Sequence, residues 1–191
     1  MIIGRILSPV HSLGPGERVC VWTQGCQKQC AGCISEDLQP AMGEDIQEAV
    51  LYQIVKQLRQ QCNCTGLTIS GGDPFEQPTA LLTLLKLVRN EFNDILVYTG
   101  FTIEEIYEGV VGKEGIECLG LIDVLIDGRY LKHLNRSDCV LRGSQNQRIH
   151  FINPDVKSAY SAYMEKGRIL ETFVHNDKVI ITGILNEEEN Q

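Results

Sequence analysis

Three times between residues 67 and 130 a short apolar run breaks off into a glycine-bearing loop, and this alternation constrains the fold more than any other feature of the chain. Leu67-Thr68-Ile69-Ser70 runs into Gly71-Gly72-Asp73-Pro74, after which Pro78 opens a segment with Leu81, Leu82, Leu84, Leu85 and Val88 on one helical side. Ile95-Leu96-Val97-Tyr98 runs into Thr99-Gly100-Phe101, and Thr102 with Glu105 has the form of a helix capping box. Leu121-Ile122-Asp123-Val124-Leu125-Ile126 runs into Asp127-Gly128-Arg129-Tyr130. The repeated order of strand, loop and helix predicts an α/β fold with a mainly parallel sheet.

The flanks extend this reading. Residues 2–7 and 19–22 read as two earlier strands, separated by a loop that Gly14-Pro15-Gly16 punctuates. Residues 44–61 read as a helix, with Ile46, Ala49, Val50, Ile54 and Leu58 at helical spacing and Glu44 and Asp45 in a first turn that favours acidic groups. Beyond residue 130 the pattern changes. Residues 142–148 form a polar loop, 149–152 a short strand and 154–166 a helix carrying Ala159, Tyr160 and Tyr163. Residues 169–174 and 178–184 flank His175-Asn176-Asp177 as a terminal hairpin. With no repeats, low-complexity tracts or linkers, residues 1–191 are expected to form one domain, its core over about 1–152 and a C-terminal helix and hairpin over about 154–185.

The chemistry is carried by Gln24-Gly25-Cys26-Gln27-Lys28-Gln29-Cys30-Ala31-Gly32-Cys33-Ile34, which leaves the second predicted strand with three thiols at spacing C-x3-C-x2-C. Positions 26, 30 and 33 could mark a helix face, but Gly25, Gly32 and the run Gln27-Lys28-Gln29 argue against a buried stripe. A structural zinc is a stronger rival, since it also takes closely spaced cysteines. Zinc, however, closes its shell with a fourth ligand, which Cys20, His11 or the Cys62/Cys64 pair would supply only by a long-range approach. A cubane iron–sulfur cluster has four irons, so a loop offering three thiolates leaves one iron open to a further ligand, and an open metal site implies chemistry.

Composition excludes some alternatives. The chain has 43% hydrophobic and 22% charged residues, an ordinary globular balance. Its net charge of −8 and lack of a basic stripe argue against a nucleic-acid surface. The opening Met1-Ile2-Ile3-Gly4-Arg5-Ile6-Leu7-Ser8-Pro9 is too short in apolar residues for a signal peptide, and no run reaches the length of a membrane span, so a cytoplasmic location is expected. Eight cysteines without an export signal then point to metal or redox chemistry rather than disulfides. Cys20, Cys62, Cys64, Cys118 and Cys139, outside the motif, read as small apolar residues. The acidic tail over 186–191 reads as a solvated end.

In α/β sheets ligands bind beyond the carboxyl ends of the strands, and the cysteine loop, Gly71-Gly72-Asp73-Pro74, Thr99-Gly100-Phe101 and Asp127-Gly128-Arg129 each follow a predicted strand. They are expected to converge. The double glycine would let backbone come close to a ligand, and Asp73 would offer a carboxylate to a cationic group.

The combination of Cys26-x3-Cys30-x2-Cys33 with Ser70-Gly71-Gly72-Asp73-Pro74 resembles the radical S-adenosylmethionine (SAM) superfamily. More narrowly, six motifs in order resemble the activating proteins of anaerobic ribonucleotide reductase: Gly14-Pro15-Gly16-Glu17-Arg18, Gln24-Gly25-Cys26, Cys30-Ala31-Gly32-Cys33, Tyr98-Thr99-Gly100-Phe101, Asp127-Gly128-Arg129-Tyr130 and the strip 142–148. The resemblance implies a partial (β/α) barrel and a 4Fe–4S cluster held by Cys26, Cys30 and Cys33, with SAM on the fourth iron. Asp73 and the backbone around Gly71 and Gly72 would hold the methionine ammonium. Gly32 and Ile34 would lie along the cofactor, and Ser70, Thr99 and Asp127 would complete the SAM-binding set. It further implies an electron donor such as a flavodoxin or ferredoxin, cleavage of SAM to a 5′-deoxyadenosyl radical, and hydrogen abstraction from a glycine of a partner enzyme. Two positions depart from the family pattern: neither neighbour of Cys33 is aromatic, and Asp73 stands where glutamate is commoner across the superfamily.

Three functions remain open at this stage. One is an activase of a glycyl-radical enzyme, most naturally the anaerobic reductase. Another is a radical SAM enzyme acting on a different peptide or a small molecule. The third is a non-enzymatic zinc or iron–sulfur module. The chain's length favours the first, because no long lid loop is visible and a large partner would cover the open side of the site, with Arg142 and Arg148 positioning its glycine loop.

Overall fold

A computed structural model of the chain describes residues 1–175 and 178–185. Seven strands form one sheet: β1 (Ile2–Val10), β2 (Arg18–Thr23), β3 (Glu44–Asp45), β4 (Gly66–Gly71), β5 (Asp94–Tyr98), β6 (Val124–Asp127) and β7 (Arg148–Phe151), in the order β3-β1-β2-β4-β5-β6-β7. The four strands β2, β4, β5 and β6 are mutually parallel, as the alternating pattern predicts, while β1, β3 and β7 pair antiparallel at the edges.

Side chains alternate across the sheet with the period of a strand. Val19, Val21, Leu67, Ile69, Ile95, Val97 and Leu125 point to one face, where they form the main core with α1 (Glu48–Cys62), α2 (Pro78–Val88), α3 (Ile103–Tyr107) and α4 (Gly112–Leu119). Leu96, Val124 and Ile126 point to the other, against Tyr160 and Tyr163 of α5 (Lys157–Met164). Cys20 and Trp22 continue that second face toward Val10 and Leu13, with Phe173 packed on them. Phe173 belongs to a separate hairpin, β8 (Leu170–His175) with β9 (Lys178–Gly183). The predicted turn residues Asn176 and Asp177 and the tail 186–191 lie outside the described residues.

The second face is also where the chain buries a charge. Arg18 is fully buried and donates from Nε to Thr68 Oγ1 at 2.6 Å, from Nη1 to Asp94 Oδ2 at 2.6 Å and from Nη2 to the Leu67 carbonyl at 2.7 Å. The Tyr160 hydroxyl donates to the same Asp94 carboxylate at 2.9 Å, so every polar group of the pair is served. A Cβ at Gly66 would lie 2.5 Å from Arg18 Nη1, and one at Gly14 2.9 Å from Arg18 Nε, which is why glycine stands at both. The Gly14-to-Arg18 motif therefore bolts the β1–β2 loop to the sheet.

Several boundaries differ from the sequence reading. Glu44 and Asp45 do not begin a helix; they pair with Ile3 and Ile2 as β3, and the Met1 amine reaches the carboxylates of Asp45 at 3.0 Å and Glu48 at 2.9 Å. These long-range partners outweigh the dipole argument, and the helix starts at Glu48. The capping box is present, with Glu105 N donating to Thr102 Oγ1 at 3.2 Å and Thr102 N to Glu105 Oε2 at 2.7 Å. The helix it opens is short, because Gly109 and Gly112 take φ of +81° and +77° and divide α3 from α4. The strand predicted from Leu121 begins only at Val124, since Asp123 turns its carboxylate to Arg89, Asn153 and the N–H of Ile95. The helix predicted over 154–166 is a 3-10 turn, Pro154–Val156, followed by α5.

Candidate active site

The carboxyl ends of β2, β4, β5 and β6 open onto a single pocket on the second face of the sheet. Its wall includes Cys26, Cys30 and Cys33 together with Gly71, Gly72 and Asp73, so two separate motifs meet there. Backbone contacts draw them together. Gly72 N donates to the Thr23 carbonyl at 2.8 Å and Asp73 N to the Gly25 carbonyl at 2.9 Å, which lays the glycine loop directly on the stem of the cysteine loop. A Cβ at Gly71 would lie 2.3 Å from Thr23 N, and one at Gly72 2.2 Å from Gly25 O. The glycine pair thus admits the chain's own backbone, a reason the sequence reading did not give.

The three thiols are half-buried and free. Burial pushes those of Cys26 and Cys33 above their ordinary range, opposed by hydrogen bonds from the N–H groups of Lys28 and Ser35. Among the described residues no group of three or more His, Cys, Asp and Glu side chains is gathered as a single metal ion requires. A cubane asks for a different arrangement, one thiolate on each of three irons, and three spaced thiols on one pocket wall suit it. The rest of the wall mixes apolar side chains such as Leu13 and Trp22 with polar groups such as Ser70 and Thr99. The Tyr98 hydroxyl is buried without a hydrogen-bond partner among the described residues, and Tyr98 lines the pocket.

Asp73 is 1% exposed and fully engaged. Its Oδ1 accepts from Phe75 N at 3.0 Å and Thr99 Oγ1 at 2.8 Å, and its Oδ2 from Gly100 N at 2.9 Å, with Lys28 Nζ at 3.2 Å. Burial raises the carboxyl above its ordinary range, and Lys28 is the strongest opposing influence.

Of the other residues singled out in the sequence, Gly32, Ile34, Ser70 and Thr99 line the pocket and Asp127 does not. Asp127 accepts from Ile103 N at 2.8 Å and Arg148 Nε at 3.1 Å, with His150 Nε2 at 2.9 Å. Burial alone would raise its carboxyl, but these partners hold it below the usual range. It holds the start of α3 and the end of the sheet in place. Its neighbour Gly128 reaches the pocket instead, held by Gln147, whose Nε2 donates to the Gly128 carbonyl at 2.8 Å. Arg148 is clamped between Asp127 and Glu104, and Arg142 donates to the Gln147 carbonyl at 3.1 Å, so both arginines are engaged within the chain.

Two features escaped the sequence reading. Lys28 sits inside the pocket against Asp73; its place between two cysteines was the only available signal. The hairpin supplies a wall where no lid was visible, with residues 181–185 lining the pocket. It is fastened by Glu171 to His11 and Ser12 and by Ser12 Oγ to Thr182 Oγ1 at 2.9 Å.

Comparison with known proteins bears directly on this arrangement. Residues 12–150 match the model of the 4Fe-4S single cluster domain family, a span that contains all three thiols and the glycine loop but not the hairpin. The chain is 30% identical over 145 residues to the anaerobic ribonucleoside-triphosphate reductase-activating protein of Escherichia coli, covering 73% of this chain and 91% of that one. The chain belongs to this activating-protein family. Proteins of the same description from Haemophilus influenzae and Vibrio cholerae are 33% and 32% identical over 143 residues, each match covering 72% of this chain and 89% of theirs. The matched 4Fe-4S domain contains the cysteine and glycine loops of the pocket, while the hairpin wall lies beyond it. Among the described residues no helix is long and apolar enough to cross a membrane.

Proposed function

We propose that the chain is a radical SAM activating enzyme whose partner is an anaerobic ribonucleotide reductase. The observation that carries the proposal is the meeting of Cys26, Cys30 and Cys33 with the Gly71-Gly72-Asp73 loop in one pocket. The cluster and SAM, when bound, supply one-electron, hydrogen-abstracting chemistry directed at a glycine of the partner. Cys26, Cys30 and Cys33 would hold the cluster through their thiolates. Asp73 seats the ligand's ammonium, Gly71 and Gly72 keep that seat against the cysteine loop, and Ser70, Thr99, Gly32 and Ile34 line the space beside it. Asp127 acts at one remove, by holding the start of α3 and Arg148 beside the strand end that leads into Gly128. Residues 181–185 close one side and limit water at the reacting atoms, leaving a smaller opening for the partner's glycine loop.

In the same reading residues 1–191 act as one domain, the sheet is a partial (β/α) barrel, a flavodoxin or ferredoxin delivers the electron, and the protein works in the cytoplasm. The test is anaerobic. Protein with reconstituted cluster, a reductant and SAM should release 5′-deoxyadenosine, and addition of the reductase should give a glycyl-radical doublet by electron paramagnetic resonance. Absence of 5′-deoxyadenosine overturns the enzyme reading. Release without a radical on the reductase leaves a radical SAM enzyme with another substrate.

A further inference from the structure

We propose that Lys28 is a displaceable occupant of the ammonium seat at Asp73, and that a ligand bearing a primary ammonium enters by exchange with it. The Lys28 ammonium lies 3.2 Å from Asp73 Oδ2, 3.6 Å from Glu76 Oε1 and 3.0 Å from the centroid of the Phe101 ring. Its side chain is only 10% exposed. Two carboxylates and an aromatic face make a cage for an ammonium of any origin. The lysine stem lies across Gly100, where a Cβ would come within 2.2 Å of Lys28 Cδ, so the Thr99-Gly100-Phe101 loop is shaped to admit it.

An ionised carboxylate accepts about four hydrogen bonds, and Asp73 has four donors around it: Phe75 N, Thr99 Oγ1, Gly100 N and Lys28 Nζ. No acceptor position is left for an incoming ammonium. Two of the four donors are backbone groups and the third is the hydroxyl of a stiff β-branched residue. Lys28 alone can leave by rotating a side chain, and Glu76 offers it a second carboxylate to keep. Exchanging one ammonium for another keeps the buried Asp73 charge compensated, which avoids the penalty of an unpaired buried carboxylate. Because Lys28 stands midway between Cys26 and Cys30, exchange also releases one of the ties between the cysteine loop and the glycine loop.

The inference rests on the reading that Asp73 seats the ligand's ammonium, and it names what fills that seat beforehand. The test is calorimetry on cluster-reconstituted protein under anaerobic conditions with two probes. S-adenosylhomocysteine carries the ammonium but no sulfonium to cleave; 5′-methylthioadenosine lacks the ammonium. Lys28→Met and Lys28→Gln should each bind S-adenosylhomocysteine about tenfold more tightly than the wild type and leave 5′-methylthioadenosine unchanged. Unchanged or weaker binding of S-adenosylhomocysteine in both variants overturns the proposal, and so does loss of iron from both. Should only the methionine variant lose iron, the glutamine variant decides. Asp73→Asn separates the two ideas: if it weakens S-adenosylhomocysteine binding while the Lys28 variants gain nothing, the exchange fails alone, and if it has no effect the ammonium seat fails too.

Discussion

Glu171 of the hairpin clasps His11 of the β1–β2 loop twice, with Oε2 accepting the His11 N–H at 2.8 Å and Oε1 lying 2.9 Å from His11 Nδ1. The N–H of Ser12 donates to the same carboxylate at 2.7 Å. This contact holds the hairpin in place as a wall of the pocket. Burial pushes the Glu171 carboxyl up, but the hydrogen bonds from His11 and Ser12 outweigh it and hold the group below the ordinary glutamate range. A depressed carboxyl contributes stability above its unfolded pKa of about 4.3 and loses it as the pH falls through the lower folded value. The hairpin amides should therefore be protected from hydrogen exchange at pH 6 and lose protection below about pH 4 before the central strands do. Glu171→Gln should flatten that difference, at a cost of about 1–3 kcal/mol in local opening.

The Arg18–Asp94 pair predicts a global effect. Arg18→Met would leave the Asp94 carboxylate, 14% exposed, without its cation. Breaking one side of such a pair costs about 3–5 kcal/mol, and thermal unfolding of the cluster-free chain should register it as a large fall in Tm. A fall of only a degree or two would mean that Tyr160 and water compensate the carboxylate.

Replacing Cys26, Cys30 or Cys33 by alanine should abolish iron binding and 5′-deoxyadenosine release, because two thiolates do not hold a cubane firmly. Cys62→Ser should leave both intact, and so should substitution at Cys118, which is fully buried away from the pocket wall. Iron assay and product chromatography read the outcome; a fully active Cys30→Ala protein contradicts the site.

Gly72→Ala tests the contact between the glycine loop and the cysteine loop. The added methyl would stand 2.2 Å from the Gly25 carbonyl oxygen, so the stem of the cysteine loop must shift. Iron content after reconstitution should fall well below wild type, while Gly120→Ala, at an ordinary φ of −75° and with nothing nearer than 3.5 Å to the added methyl, should retain it.

Tyr98→Phe separates folding from ligand binding. The buried hydroxyl has no partner among the described residues, so its removal should leave the unfolding free energy at or above wild type, by up to about 1 kcal/mol. Affinity for SAM should fall several-fold if the ligand takes that hydrogen bond. A clear loss of stability instead would show that the hydroxyl is already satisfied within the fold.

What the sequence determined by itself lies within a few residues of each decision. Pro78 at the first position of α2 and the Thr102–Glu105 box depend on contacts within a few residues, and these signals read true. The alternation of apolar residues likewise separated the strands and ordered the parallel core. Tertiary structure decided the rest, because the competing partners were distant. Glu44 and Asp45 left their expected helix for β1, more than forty residues away, and Asp127 spent its carboxylate on Arg148 and His150 rather than on the pocket. The hairpin became a wall of the site through Glu171, about 160 residues from His11. Lys28 met Asp73 only because two glycines let the backbones of their loops touch. Pairings of that range depend on where the folded sheet brings its loops, and they leave no periodic trace in the residues around them.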